Sequence, residues 1–446
     1  MVKRISFALI LACCLASYAA CYGRSVIEER GGSASKAVKY DDGSWELIVA
    51  GEPYYIRGIV FSPVAIGESP GEATMRDWMY YDEDKNGRND IACDVWVDAN
   101  RNEVRDPDEL PVGDFRLLKD MGCNTIRIYH VPSDNPMLGD IYRKSESFRL
   151  QYDHPVNKDL LRYMYEKFGI RAIMGNFMGS WTVGSGTTWE EGCDYTDPVQ
   201  RDNIKKTVRA MVEDNKDEPY VLMWLLGNEN NIATWSRCNA SDHMKEYLTL
   251  VNECAKMIKQ IDQGHLVGIC EGFRGCYLPL YREYLPDIDI IGFNAYMGKW
   301  GFATMWKQVK HDFDRPVFLT EYGIFSYNKN KGDDEDMQLE YLEGCYKDME
   351  NNRSGAVPPA PKKSSGNCVG GCIFDYVDRW YMDGSPFEHN AGTKYWDSPD
   401  RTDHEEYFGI TSMGNGSDGI FKRQLKKSYE FFKQKWMRGA DTLVSP

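Results

Sequence analysis

Two glutamates close runs that are otherwise apolar. "VLMWLLGNE" ends on Glu229 after Asn228, and "VFLTEYG" carries Glu321 ahead of Tyr322. A carboxylate at the end of a buried strand is costly unless something uses it. Two carboxyls facing one pocket have a known use in glycosidic-bond hydrolysis with retention, which needs a proton donor and a nucleophile about 5–5.5 Å apart. The donor must stay protonated near neutral pH, and burial beside another negative charge favours that. The nucleophile must stay ionised, and an Arg with a Tyr hydroxyl donating to it favours that.

Such residues need elements to position them. Eight β-rich runs cover 55–63, 124–130, 171–179, 221–229, 266–272, 288–296, 317–323 and 369–377. Helical patterns lie between them; in one, Met244, Tyr247, Leu248, Val251, Ala255 and Ile258 recur at helical spacing. Near-continuous apolar strands fit a parallel sheet buried on both faces. The expected fold is therefore α/β, a (β/α)8 TIM barrel. A short N-terminal β-hairpin precedes it, turning at "DDGS" and "AGEP", and an acidic insertion follows the first strand. The expected division is a signal peptide over 1–21, a linker over 22–36 and one domain over 37–440, with the insertion at 80–110.

Reactive groups of such barrels sit at the C-terminal strand ends. Those ends carry Arg127 and His130 on the second strand, Asn228 and Glu229 on the fourth, and Asn294 and Tyr296 on the sixth. Glu321 closes the seventh, and Trp380 follows the eighth. Arg127 and Tyr296 are placed to hold the nucleophile, and Trp380 to stack under a sugar ring. Trp181, Trp235 and Trp300 are further stacking candidates, for which plain packing serves equally well. The bland alternatives are helix-capping glutamates, an Arg127 that only braces the barrel and a His130 that only fills its wall.

These residues carry a family resemblance over roughly residues 40–436. "GNE" and "TEYG" resemble the acid/base and nucleophile motifs of glycoside hydrolase clan A, the retaining TIM-barrel glycosidases. "GFNAY" and "GCNTIRIYH" resemble motifs of the family 2 catalytic domain. "LLKDMGCNTIRIYHV" and "EEYFGI" are similar to segments of the family 72 β-1,3-glucanosyltransferases. The resemblance implies Glu229 as acid/base, Glu321 as nucleophile and Asn228 bonding the sugar 2-hydroxyl. It also gives Tyr296 the task of orienting the nucleophile, and Arg127 and His130 subsite roles. The chain has no room ahead of the barrel for the β-domains of family 2, and the family 72 cysteine pattern is not matched. Substrate therefore does not carry over.

The net charge of −15 argues against nucleic acid or an anionic membrane as partner, since phosphate contacts need clustered Lys and Arg. The 12 Trp and 28 Tyr suit an oligo- or polysaccharide partner, besides packing. "MVKR" followed by "ISFALILACCLA" reads as a secretory signal, so export is expected, with the product secreted, periplasmic or surface-anchored. Cys21 offers a lipid-anchor site, although Tyr18 stands where a lipobox has an aliphatic residue. Of the 13 Cys, ten lie beyond the signal. Cys270 with Cys276, and Cys368 with Cys372, are candidate disulfides, while Cys123 reads as a buried free thiol.

No cofactor is expected for catalysis, but a structural Ca²⁺ is. Asp98, Asn100, Asn102, Asp106 and Glu109 fall at positions 1, 3, 5, 9 and 12 of an EF-hand-type loop, with the Val104 carbonyl at 7. Glu103 replaces the usual glycine at position 6. An earlier loop has Asp82, Asp84, Asn86 and Asp90, with Asp94 in place of the terminal Glu. The spacing favours the second loop.

The sequence thus reads as a retaining β-glycoside hydrolase. Its rivals are a β-glucan transglycosylase using the same residues, a silent carbohydrate-binding barrel and a calcium-dependent adhesion module. Linkage, exo or endo action and oligomeric state are not encoded legibly.

Overall fold

The computed structural model describes residues 24–133, 135, 138–358 and 363–441. The expected signal peptide and Cys21 anchor lie outside them. Eight parallel strands close into a barrel, each followed by a helix. In chain order these are β1 (Ile56–Val60), α1 (Asp114–Met121), β2 (Thr125–Ile128), α2 (Lys158–Phe168), β3 (Arg171–Asn176) and α3 (Pro198–Asn215). Then come β4 (Val221–Leu226), α4 (Met244–Ile261), β5 (Leu266–Gly272), α5 (Leu278–Tyr284), β6 (Ile290–Asn294) and α6 (Met305–Asp312). The last are β7 (Val317–Tyr322), α7 (Glu335–Asn352), β8 (Cys368–Ile373) and α8 (Lys427–Asp441). The ring closes where β8 pairs with β1, Gly370 to Ile56 through Ile373 to Ile59.

Every residue of β4, β5, β6, β7 and β8 is buried, as a sheet covered on both faces requires. Helix ends follow local chemistry. The Asp197 side chain accepts the Val199 and Gln200 N–H groups ahead of Pro198, and Asn157 accepts Leu160 N–H at the start of α2. Gly122 and Gly169 take φ values of 85° and 70° to end α1 and α2.

Residues 26–31, expected within a linker, form a strand instead. Its only large apolar residues, Val26 and Ile27, are exposed, so no amphipathic pattern marks it. The backbone ladder to residues 35–40 holds it, giving a four-stranded antiparallel sheet where a hairpin is expected. That sheet covers the N-terminal end of the barrel. Ser35 Oγ donates to the Leu222 carbonyl, while Trp45 and Leu47 pack with Ile56 and Leu266.

The expected disulfides do not form, and all ten described cysteines are free. Cys270 is sealed inside the barrel while Cys276 is exposed beyond β5. Cys368 and Cys372 stand four residues apart on β8, a span of about 13 Å on an extended strand and beyond disulfide reach. Cys123 is a buried free thiol.

Candidate active site

The C-terminal strand ends converge on Glu321. Its Oε1 accepts hydrogen bonds from Arg127 Nη1 at 2.9 Å and Tyr129 Oη at 2.7 Å, and its Oε2 from Tyr296 Oη at 2.7 Å. Arg127 is 1% exposed, so the ion pair is dry and the guanidinium is fixed. Its Nη1 also donates to the Thr320 carbonyl, and its Nη2 to Asn228 Oδ1 at 2.6 Å. Burial, and then the Glu321 charge, hold the Tyr129 and Tyr296 phenols well above their ordinary pKa. Both therefore stay protonated and donate. Three donors on one carboxylate fix its orientation.

Glu229 sits in the opposite kind of environment. It keeps an open edge toward the pocket, yet the protein packed around it desolvates the carboxyl. Burial first, and then the negative charge of Glu321, push its pKa up to about 8. A hydrogen bond from Asn294 and the charge of Arg127 oppose this without cancelling it. Glu229 has φ 53°, a left-handed backbone costing about 1–3 kcal/mol for a non-glycine residue. Its neighbours hold it there. Asn230 Oδ1 accepts Asn228 N–H, Asn230 Nδ2 donates to Tyr195 Oη, and Asn231 N–H donates to Glu271 Oε2.

Asn294 joins the floor of the pocket. Its Oδ1 accepts from Thr320 Oγ1 at 2.7 Å and Arg127 Nη1 at 3.3 Å, and its Nδ2 donates to Asn228 Oδ1. The Asn228 oxygen thus accepts from Arg127, Asn294 and the Cys270 thiol, which turns its amide nitrogen away from these partners.

Two expected residues lie elsewhere. His130 is a wall residue, 2% exposed. Its Nδ1 accepts Phe177 N–H, its Nε2 meets Tyr142 Oη, and burial lowers its pKa to about 3. Neither ring nitrogen is left for a sugar. Successive strand residues point to opposite faces, so Arg127 and Tyr129 share the barrel side and His130 takes the other. The same rule could have found Tyr129, whose bond to Glu321 the motif reading missed. Trp380 stacks on His389 at 4.9 Å, and His389 stacks on Tyr407 at 3.8 Å, so the expected platform is packed behind the site. Trp396, not singled out by sequence, lies edge-on to Tyr296 at 5.7 Å and is half-buried.

Trp181 and Trp235 meet each other, Trp181 Nε1 donating to the Trp235 carbonyl. Trp181 also lines a cavity of about 240 Å³ with Phe148 and Trp189. Trp300 stands free in solvent, 84% exposed. None of the expected metal ligands at 82–109 hydrogen-bonds to the two glutamates or Arg127 among the described residues. They belong to the insertion after β1, whose strand Trp96–Val97 pairs with residues 422–425.

A barrel with two unlike glutamates at the ends of β4 and β7 is similar to the retaining glycosidases of clan A. No family model matches the chain. It is 23% identical over 188 residues to a protein named as a β-glucuronidase, from Formosa agariphila, covering 40% of this chain and 18% of that one. It is 24% identical over 244 residues to mannan endo-1,4-β-mannosidase A of Emericella nidulans, covering 49% and 61%. Among solved structures it resembles Bacteroides uniformis β-glucuronidase 2, covalently bound to cyclophellitol-6-carboxylate aziridine. The TM-score there is 0.50 and the identity 16%, over 90% of this chain and 40% of that one. That likeness is one of fold. The chain spans less than two thirds of each of these proteins.

Proposed function

We propose that this protein hydrolyses β-glycosides by double displacement. Glu321 attacks the anomeric carbon as the bond to the leaving oxygen breaks, and Glu229 gives that oxygen its proton. Glu229, now a carboxylate, takes a proton from water. The water oxygen bonds the anomeric carbon, and the ester to Glu321 breaks. Arg127, Tyr129 and Tyr296 keep Glu321 aligned between turnovers.

The observation that carries this reading is the split between the two carboxyls. One is held by three donors; the other is pushed up to about 8 by burial and by its partner's charge. A raised carboxylic acid beside a carboxylate held by three donors suits acid and nucleophile roles. The names of the similar proteins direct the substrate search toward β-glucuronides and β-mannan, with β-1,3- and β-1,4-glucans and β-galactosides beside them. The test is mass spectrometry of products from these glycans, wild type against Glu321→Gln. Shorter products from wild type alone are expected. Longer products would make the protein a transglycosylase, and no change on any glycan would sink the catalytic reading. Export is part of the same proposal and is checked by the N-terminal sequence of the mature protein.

A further inference from the structure

The two acidic loops of the insertion differ in a way their spacing hides. In the second loop the oxygens are already occupied. Asp98 accepts from Asn102 N–H, Glu103 N–H and Gln424 Nε2. Asp106 Oδ2 accepts from both Asn100 and Asn102 side chains, and the two Glu109 oxygens accept Ala99 N–H and Asp106 N–H. Glu103, at the position that usually holds glycine, turns out to Lys422. This loop is satisfied by its own donors.

The first loop is satisfied save at one buried oxygen: both Asp82 oxygens accept Gly87 N–H, and the Asp84 oxygens accept Asn86 N–H and Nδ2. Carboxylate oxygens of Asp82, Asp84 and Asp90 lie within 4.8 Å of one another. Asp90 is fully buried, and its Oδ1 has no hydrogen-bond partner. Its Oδ2 takes only Glu83 N–H. No Lys, Arg or His pairs with any of the three among the described residues; the nearby Arg88 is engaged by Asp94. A buried carboxylate with an open oxygen, close to two like charges, is unfavourable unless a cation joins it. Gly87 takes φ 80° at the sixth place of the loop, the position where an EF-type loop turns sharply.

We propose that residues 82–90 form a Ca²⁺ site in which Asp82, Asp84 and the buried Asp90 supply three charged oxygens. Asn86 and the carbonyl of Arg88 stand where the spacing puts two more oxygen donors. Hard oxygen ligands on an irregular loop suit Ca²⁺ better than Mg²⁺, which demands near-octahedral geometry. The ion ties down the path to the barrel mouth. Asp90 N–H donates to the Tyr81 carbonyl, Tyr81 Oη accepts Ala65 N–H and donates to Glu68, and Trp78 packs edge-on against Phe61 just past β1.

The test is Ca²⁺ titration of full-length protein stripped with EGTA, by calorimetry and thermal unfolding. Wild type is compared with the Asp82→Asn/Asp84→Asn double variant and with Asp106→Asn. Both residues of the double variant are exposed, so it folds, and circular dichroism checks that. The expected result is saturable binding and a raised Tm in wild type and Asp106→Asn. The double variant should lose one ion per chain and the Tm gain. No saturable binding at millimolar Ca²⁺, a stoichiometry unchanged in the double variant, or an equal Tm rise with Mg²⁺ would overturn the assignment.

Discussion

The ends of β4 and β7 present the same side chain in opposite surroundings. Glu321 lies on β7, paired with Asn294, and receives three hydrogen bonds on its two oxygens. Glu229 sits on a left-handed residue two places after Gly227 and, among the described residues, accepts from no phenol or guanidinium. The fold brings both to the same end of the barrel, and their neighbours give them different surroundings. Arg127 is the hinge of the difference, since it hydrogen-bonds Glu321 directly, whereas its charge only partly offsets the burial of Glu229. The glutamate positions follow from the barrel, and the chemistry follows from the donors around them.

The sharpest way to break the comparison is Glu321→Gln. An amide cannot form the glycosyl ester, so kcat should fall by about 10⁴-fold or more on every active substrate. Product assays on purified, folded variant check this. Glu229→Gln should act differently. Loss of a general acid costs about 10²–10⁴-fold on substrates with poor leaving groups, and far less where the leaving oxygen is already acidic. A series of aryl glycosides of graded leaving-group pKa separates the two variants. Equal losses across that series would mean that the two carboxyls do not divide the work.

Much of this difference is legible in the sequence, for a physical reason. Buried parallel strands are largely apolar, so glutamates near their ends stand out, Glu271 on β5 as well as Glu229 and Glu321, as do Arg127 and Tyr296 at neighbouring ends. What is not legible depends on side-chain direction and on partners distant in sequence. His130 follows Arg127 by three residues and so turns to the wall, where Phe177 covers it. Trp380 is drawn into a stack by His389 and Tyr407. Residues 26–31 carry no periodic signal because a backbone ladder, not side-chain burial, holds them. The choice between the two acidic loops rests on which oxygens are already occupied, and spacing does not record that.

The donors on Glu321 can be weighed against each other. Among the described hydrogen bonds, Tyr296 alone serves Oε2, whereas Oε1 has both Arg127 and Tyr129. Removing a donor to a charged group costs about 1.5–3 kcal/mol. Tyr296→Phe should therefore lower kcat/KM by about 10–100-fold. Tyr129→Phe should lower it less, because the Arg127 bond remains. Equal effects from the two variants would show that the carboxylate reorients freely, contrary to the geometry.

The smallest effect tests the Glu229 side. Its pKa lies near 8 in the folded chain, against 4.5 for an ordinary glutamate. Below about pH 4.5 both folded and unfolded states hold the proton, and Glu229 does not affect stability. Between there and pH 8 the unfolded chain releases the proton while the folded chain keeps it, so stability falls as pH rises. Glu229→Gln removes this penalty. The variant should be more stable than wild type at pH 7, by about 1–3 kcal/mol, with the gap closing toward pH 4.5. Urea unfolding across this range measures it. In wild type, the step that forms the glycosyl-enzyme should slow as pH rises through about 8, because the acid loses its proton there. A stability gap that persists unchanged at low pH would place its origin in packing and would leave the raised pKa without support.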